Sequence, residues 1–340
     1  MRKALFLLFL AFSLVSCKTQ NKSSVKSSGL VISPTDYVAT INAEDLKKLL
    51  YDFASDDMQG RMTGELGQKL AAAYLKDFYI QHDIASPLGG QDYYQPIPSS
   101  YFRRNIGDTE NVIAFIEGTE YPDEVIILTA HYDHVGVDQQ GQIFNGADDD
   151  GSGSVALLLI AKAFQQAKKD GNGPKRSIAI LHVTAEEIGL LGSKFYVENP
   201  IFPLENTVAN LNIDMIGRID PNKKNQPEYI YLIGSDKLSQ ELHQVSEAAN
   251  QQYVQLELDY TFNDDNDPNR FYYRSDHYNF AKNNIPALFY FSGVHEDYHQ
   301  PTDTPDKIEY ELLEKRARLV FYTAWELANR KDRIRVDINQ

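Results

Sequence analysis

The sequence predicts an α/β domain, a mostly parallel, twisted mixed sheet with helices on both faces. Short apolar runs alternate along the chain with longer segments of helical period. EVIILTA, residues 124–130, is apolar and β-branched enough for a central strand, whereas VALLLIAKAF, 155–164, is too long and too uniformly apolar for another one. Between these two runs stand two histidines and a triplet of aspartates, and an open α/β sheet binds its ligands at that edge, outside the carboxyl ends of its strands. No repeat of solenoid period competes with this reading.

Residues 42–54, NAEDLKKLLYDFA, read as a helix entered at Asn42 with Leu46, Leu49, Leu50 and Phe53 on one face. SDDMQGRMTGELG is a loop, and QKLAAAYLKDFYIQHD a second amphipathic helix whose apolar stripe belongs to a core. The stretch from 89 to 109 is irregular, with room for an edge strand. NVIAFIEG and EVIILTAH are strands, with YPDE as a hairpin-like connection between them. After the acidic loop a helix runs to about Lys169 and ends in a GNGPKR turn. RSIAILHVTAEE is a strand ending in two glutamates, followed by a short helix over GLLGSKFYVEN; NTVANLNIDMIG is a strand with Asp214 at its C-terminal end. EYIYLIGS is the next strand and precedes a helix from Asp236 to about Gln251. Residues 252–274 form an irregular excursion, SDHYNFAKNN a short helix, PALFYFSG the last strand, and residues 310–330 the closing helix.

The first residues, MRKALFLLFLAFSLVSC, combine Arg2 and Lys3 with a short apolar run and end at the chain's one cysteine. This is a secretory signal over residues 1–16. Leu14, Val15, Ser16 and Cys17 resemble the bacterial lipobox, which implies a lipidated Cys17 as the mature N-terminus and a polar tether to about residue 30. The expected location is therefore the cell envelope of a bacterium, with the membrane reached through Cys17 alone. A single domain spans 31–335. A lone cysteine forms no intrachain disulfide and leaves no thiolate for catalysis. Loss of Arg2 and Lys3 with the leader moves the formal charge from −15 to −17, an acidity that argues against nucleic acid as a partner.

Strand ends thus deliver His131 and Asp133, then Glu186 and Glu187, then Asp214, and after the last strand His299; Asp149 joins them from the central loop. By itself the aspartate triplet reads first as a solvated turn at a helix N-terminus. Together, imidazole and carboxylate without a competing thiolate suit one or two zinc-like ions. His134 and His295 are expected to make loop contacts, His277 to support a substrate loop, and His182 to sit satisfied in the core.

HYDH, NGADDDGSG, AEEIGLLGS, LNIDMIGR and YHQPTDT, in that order, resemble the secreted bacterial di-zinc aminopeptidases of peptidase clan MH. Glutamate carboxypeptidase II, the transferrin receptor ectodomain and the glutaminyl cyclases share that fold. The resemblance implies a zinc-dependent exopeptidase fold acting on peptide substrates with two Zn²⁺, other divalent cations being alternatives. It assigns His131 and Asp214 to one ion and Glu187 and His299 to the other, with Asp149 bridging. It makes Glu186 the general base, Asp133 the acceptor that orients the His131 ring, and Tyr298 a hydrogen-bond donor to the oxyanion. It also implies a cis peptide between Asp149 and Asp150.

A metal pair about 3.5–4 Å apart can hold a hydroxide between the ions and polarise a scissile carbonyl, while an unligated Glu186 moves the proton. The alternatives are a single-zinc glutaminyl cyclase, a glutamate-releasing carboxypeptidase and a non-catalytic binding ectodomain. The cyclases place tryptophans around a small pocket, and Trp325 is the only tryptophan here, in the closing helix. The carboxypeptidase needs an arginine cluster, for which Arg270 and Arg274 are the nearest candidates. Residues 252–274, with Tyr272 and Tyr273, are the expected lining for the first residue of the substrate.

Overall fold

The computed structural model describes residues 33–338; the expected signal segment, Cys17 and the tether lie outside them. Helix α1 (Ala43–Phe53) begins where Asn42 accepts from the Asp45 amide at 2.9 Å, a cap worth about 1 kcal/mol. Helix α2 (Leu66–Gln81) follows, then strands β1 (Tyr94–Ile97), β2 (Thr109–Ile116) and β3 (Tyr121–His131). A two-strand ribbon, β4 (Gly136–Val137) and β5 (Ile143–Phe144), leads into the acidic loop and helix α3 (Gly153–Lys169). The remainder runs β6 (Arg176–Val183), α4 (Leu191–Glu198), β7 (Thr207–Ile213), β8 (Tyr229–Ile233), α5 (Gln240–Ala249), β9 (Glu257–Asp259), α6 (His277–Ala281), β10 (Ala287–Phe291) and α7 (Tyr310–Asn329). Among the described residues no helix is long and apolar enough to cross a membrane.

The large sheet has the order β1-β2-β6-β3-β7-β10-β8-β9. Its centre, β6-β3-β7-β10, is parallel, β2 and β8 are antiparallel to their inner neighbours, and β9 returns parallel to β8. Alternation of side chains divides each central strand between two cores. Ile126, Leu128, Ala130, Ile178 and Ile180 face α1, α2, α3, α5 and α7, while Val125, Ile127, Ala179 and Leu181 face the layer that holds α4 and α6. Trp325 lies in the first layer, stacked on Phe164 with ring centroids 5.8 Å apart.

Three expectations are corrected. β2 and β3 do not form a hairpin: β6 lies between them, and residues 121–124 already belong to β3. Every residue of β6 is buried, so it needs a neighbour on each side and takes the slot that a hairpin would have closed. Helix α5 starts at Gln240, not Asp236, because Ser239 caps it by accepting from the Leu242 amide at 3.2 Å, whereas Asp236 accepts from Asn263 at 2.7 Å. The edge of the irregular 252–274 stretch contributes one short strand, β9, and the rest of it turns on side chains such as Asp267, which accepts from the Phe271 amide at 3.0 Å.

Register explains how distant residues meet. In the parallel ladders His131 pairs with Val183, just before the two glutamates, and Thr129 pairs with Asn212. His131 and Asp214, each two residues beyond that second pair, therefore emerge at the same height on the same side of the pleat.

Candidate metal centre

The aspartate triplet divides its labour. Asp148 accepts from the Gly217 amide at 2.6 Å and contacts His295 Nε2 at 3.1 Å. One oxygen of Asp150 accepts from the Gly153 and Met215 amides, both at 3.0 Å. Asp303 accepts in turn from the amides of Asp148 and Asp149. The flanking aspartates thus fasten the loop, and Asp149 alone turns both carboxylate oxygens to the histidines. Its Oδ1 lies 3.1 Å from His131 Nε2 and its Oδ2 3.0 Å from His299 Nε2. The Asp149–Asp150 peptide is cis.

On one side of Asp149, His131 Nε2 stands 3.7 Å from Asp214 Oδ1. The other oxygen of Asp214 accepts from Ser275 at 2.6 Å, and Ser275 accepts from Asn212 at 2.7 Å. On the far side, His299 Nε2 is 3.0 Å from Glu187 Oε2, and His134 Nδ1 is 2.8 Å from Glu187 Oε1. All five residues assigned to ions from the resemblance converge here, and His134 joins them. It was expected among loop contacts, but the chain turns back after β3 and buries its ring in the site.

The residues fit divalent cations. The His131 Nε2, Asp149 Oδ2 and Glu187 Oε1 atoms and both His134 nitrogens are buried without a hydrogen bond of ordinary geometry, a costly state unless something else binds them. Donor atoms of His131, Asp150 and Asp214 lie within 4.8 Å of one another, as do those of His134, Asp149 and Glu187. Burial alone would depress the His299 imidazole, yet the Asp149 and Glu187 carboxylates outweigh it and hold its pKa up at about 10. A field that strong attracts a cation.

Glu186 and Tyr298 line a cavity of about 40 Å³ that opens onto Asp149 and Asp214. Burial pushes the Glu186 carboxyl well above the usual range, reinforced by Asp214 and Glu187 against the opposing pull of His131. Burial likewise raises the Tyr298 phenol, with Asp149 and Glu187 adding to it; its ring stacks on His299 at 3.9 Å between centroids. Asp133 differs from expectation in one respect. Its backbone carbonyl, at 3.1 Å, takes the His131 Nδ1 contact, while its carboxylate is 3.8 Å away. That carboxylate accepts from Thr63 at 2.8 Å and from the Glu186 amide at 3.2 Å, so it positions the Glu186 backbone.

The excursion supplies Phe271 and Arg274 to this cavity, with Met215, Phe289, Phe291 and Val294. Tyr272 and Tyr273 face a separate surface cavity with Tyr278 and Lys237, and Arg270 stacks on Tyr273 at 4.8 Å. His277 stacks on Phe289 at 4.9 Å, and His182 contacts the Tyr79 hydroxyl at 2.6 Å.

Arg61 was invisible to sequence reasoning. Fully buried, it donates to the carbonyls of Tyr132 (2.8 Å), Asn145 (2.6 Å) and Gly146 (2.8 Å), tying the loop after β3 to the loop before the triplet. Carbonyl partners carry no sequence signature, and its only hint was a charged residue inside a glycine-bounded loop. Arg61→Met is expected to cost at least about 3 kcal/mol, because it strands buried acceptors. Denaturant unfolding checks this; a loss under about 1 kcal/mol would mean the loops are held by other contacts.

A mostly parallel sheet whose strand ends converge on imidazoles and carboxylates defines a protein built to hold divalent metal. The chain belongs to peptidase family M28, whose model matches residues 111–324. It is 31% identical over 205 residues to leucine aminopeptidase 2 of Trichophyton equinum, covering 59% of this chain and 36% of that protein. It is 42% identical over 106 residues to a probable glutamate carboxypeptidase of Arthroderma benhamiae, covering 31% of this chain and 14% of the relative. The matched span is thus well under half the length of these curated relatives. Among solved structures, the LapA aminopeptidase of Legionella pneumophila aligns with a TM-score of 0.67 at 20% identity, over 88% of this chain and 75% of that one. A zinc aminopeptidase from Bacillus subtilis aligns with a TM-score of 0.64 at 16% identity, over 88% and 99%. At these identities the likeness establishes the shared fold.

Proposed function

We propose that the chain is a metal-dependent exopeptidase, an aminopeptidase that removes N-terminal residues from peptides with two Zn²⁺ held around Asp149. The observation that carries this is a carboxylate with a histidine against each oxygen, beside a glutamate, Glu186, that belongs to neither donor group. His131 and Asp214 would hold one ion, Glu187 and His299 the other. Bound ions would supply Lewis acidity toward the attacking water and the scissile carbonyl.

The protein's own part follows from position. Glu186, with a pKa raised by burial, accepts the water's proton and returns it to the leaving amine. Tyr298, kept protonated, donates a hydrogen bond to the carbonyl oxygen as it gains charge. The small cavity beside them, walled in part by Phe271, Phe289, Phe291 and Met215, offers an apolar surface to the first side chain of a substrate. Only one arginine, Arg274, lines it, short of the cluster that a glutamate-releasing carboxypeptidase needs, and Trp325 is packed in the helix layer, not around the pocket.

Metal analysis of the purified protein together with a screen of aminoacyl chromogenic substrates tests this reading. Two equivalents of Zn²⁺ and release of an apolar N-terminal residue are expected. Cyclisation of an N-terminal glutamine without dipeptide cleavage would replace the reading with a cyclase. The lipobox supports attachment to the bacterial envelope through Cys17, with the domain outside the cytoplasm. Cys17→Ala should leave an uncleaved or unlipidated precursor, detected by its mass and altered membrane partition, and unchanged partition would rule the lipid anchor out.

A further inference from the structure

The resemblance leaves His134 without a role in the centre, although its ring is buried there. We propose that it is an additional protein ligand to the ion on the Glu187 side of Asp149, an inference that rests on the metal reading above. Its side chain has no solvent exposure, and neither ring nitrogen makes a hydrogen bond of ordinary geometry. What sets it apart from His277, whose ring nitrogens also lack such a bond but which stacks on Phe289 in neither donor group, is that His134 points a nitrogen at two carboxylates.

The His134 ring is also held in place. Its amide donates to the Arg61 carbonyl at 3.2 Å, and a Cβ at Gly146, where φ is +57°, would lie 2.5 Å from its Cγ. Backbone on both sides therefore fixes the ring with Nδ1 turned into the site, 2.8 Å from Glu187 Oε1 and 3.7 Å from Asp149 Oδ2. These three residues offer one donor atom each within a common 4.8 Å, and His299 reaches the other oxygen of Glu187 and the same oxygen of Asp149.

The two halves of the centre are consequently unequal. The half at His131 and Asp214 has one imidazole; the half at Glu187 has two, His134 and His299. Imidazole is the better zinc donor of the two types, so the Glu187 half fills first and holds its ion more tightly.

The competing role is a hydrogen bond from Nδ1 that merely steadies Glu187. His134→Gln separates the two, because a glutamine amide donates to Glu187 but is a poor zinc ligand, and His134→Ala removes both functions. Metal-free full-length wild type and both variants are titrated with Zn²⁺ against a chromogenic chelator, and the electronic spectra of their Co²⁺ forms are recorded.

Wild type is expected to bind two equivalents with separable affinities. Both variants should weaken the tighter one by more than about 100-fold, beyond the 10–100-fold that loss of an outer hydrogen bond costs, and should change the Co²⁺ absorption of that site alone. Wild-type affinity in His134→Gln would reduce His134 to a positioning residue for Glu187 and overturn the proposal. Wild-type affinity and spectrum in His134→Ala would overturn it too. A wild-type protein that binds no Zn²⁺ would instead remove the metal reading itself.

Discussion

Glu186→Gln is expected to lower kcat by about 10²–10⁴-fold, the range that a positioned general base contributes, with KM and Zn²⁺ content close to those of the wild type. The two glutamates are adjacent in sequence but occupy different environments. Glu187 faces His134 and His299 at 2.8 and 3.0 Å. Glu186 belongs to neither donor group and borders the cavity beside Asp149 and Asp214. Its amide is fixed by Asp133 at 3.2 Å, so a glutamine in its place keeps the backbone and the volume and loses only the capacity to take a proton. Parallel metal analysis and steady-state kinetics decide the matter. Loss of metal in Glu186→Gln, with Glu187→Gln retaining it, would exchange the two roles.

Much of the centre was legible because a parallel sheet in register does its assembly by rule: strands end at one rim, and residues just past those ends share it. His131, the two glutamates and Asp214 follow from that rule alone. The sheet order was less legible. An apolar run reads the same whether its neighbour arrives by a hairpin or by a crossover, so nothing local in the β2 and β3 segments announces that β6 separates them.

What supports the donors was harder still to see. Arg61 works through carbonyls, and Ser275 and Asn212 work as a relay to Asp214 from 61 residues and two residues away in sequence. Asp303 did carry a signal, since it lies in the same QPTDT stretch that follows His299; its task of holding the Asp148 and Asp149 amides emerges only once the two loops meet. The turn after β3 matters in the same way: its direction decides whether His134 reaches solvent or the site, and no periodicity specifies it.

Asp149→Ala is expected to empty both halves of the centre together and to take activity to background. Its two oxygens serve different histidines, 3.1 Å from His131 and 3.0 Å from His299. Neither neighbour can bridge in its place, since Asp148 is committed to Gly217 and His295, and Asp150, with one oxygen held by Gly153 and Met215, stands with His131 and Asp214 on one side only. No backbone amide depends on the Asp149 side chain, and Asp303 still holds the loop through the amides of residues 148 and 149. The metal-free variant should therefore fold, although it loses the carboxylate that His131, His299 and His134 hold well below the usual range against the cost of burial. The contrast appears on adding Zn²⁺. An ion that binds only the folded state stabilises it by about 4 kcal/mol at a thousandfold excess over Kd, so the wild type gains a higher Tm and the variant gains nothing. A variant that still bound two equivalents would contradict bridging, and one that lost a single equivalent would assign Asp149 to one half of the centre.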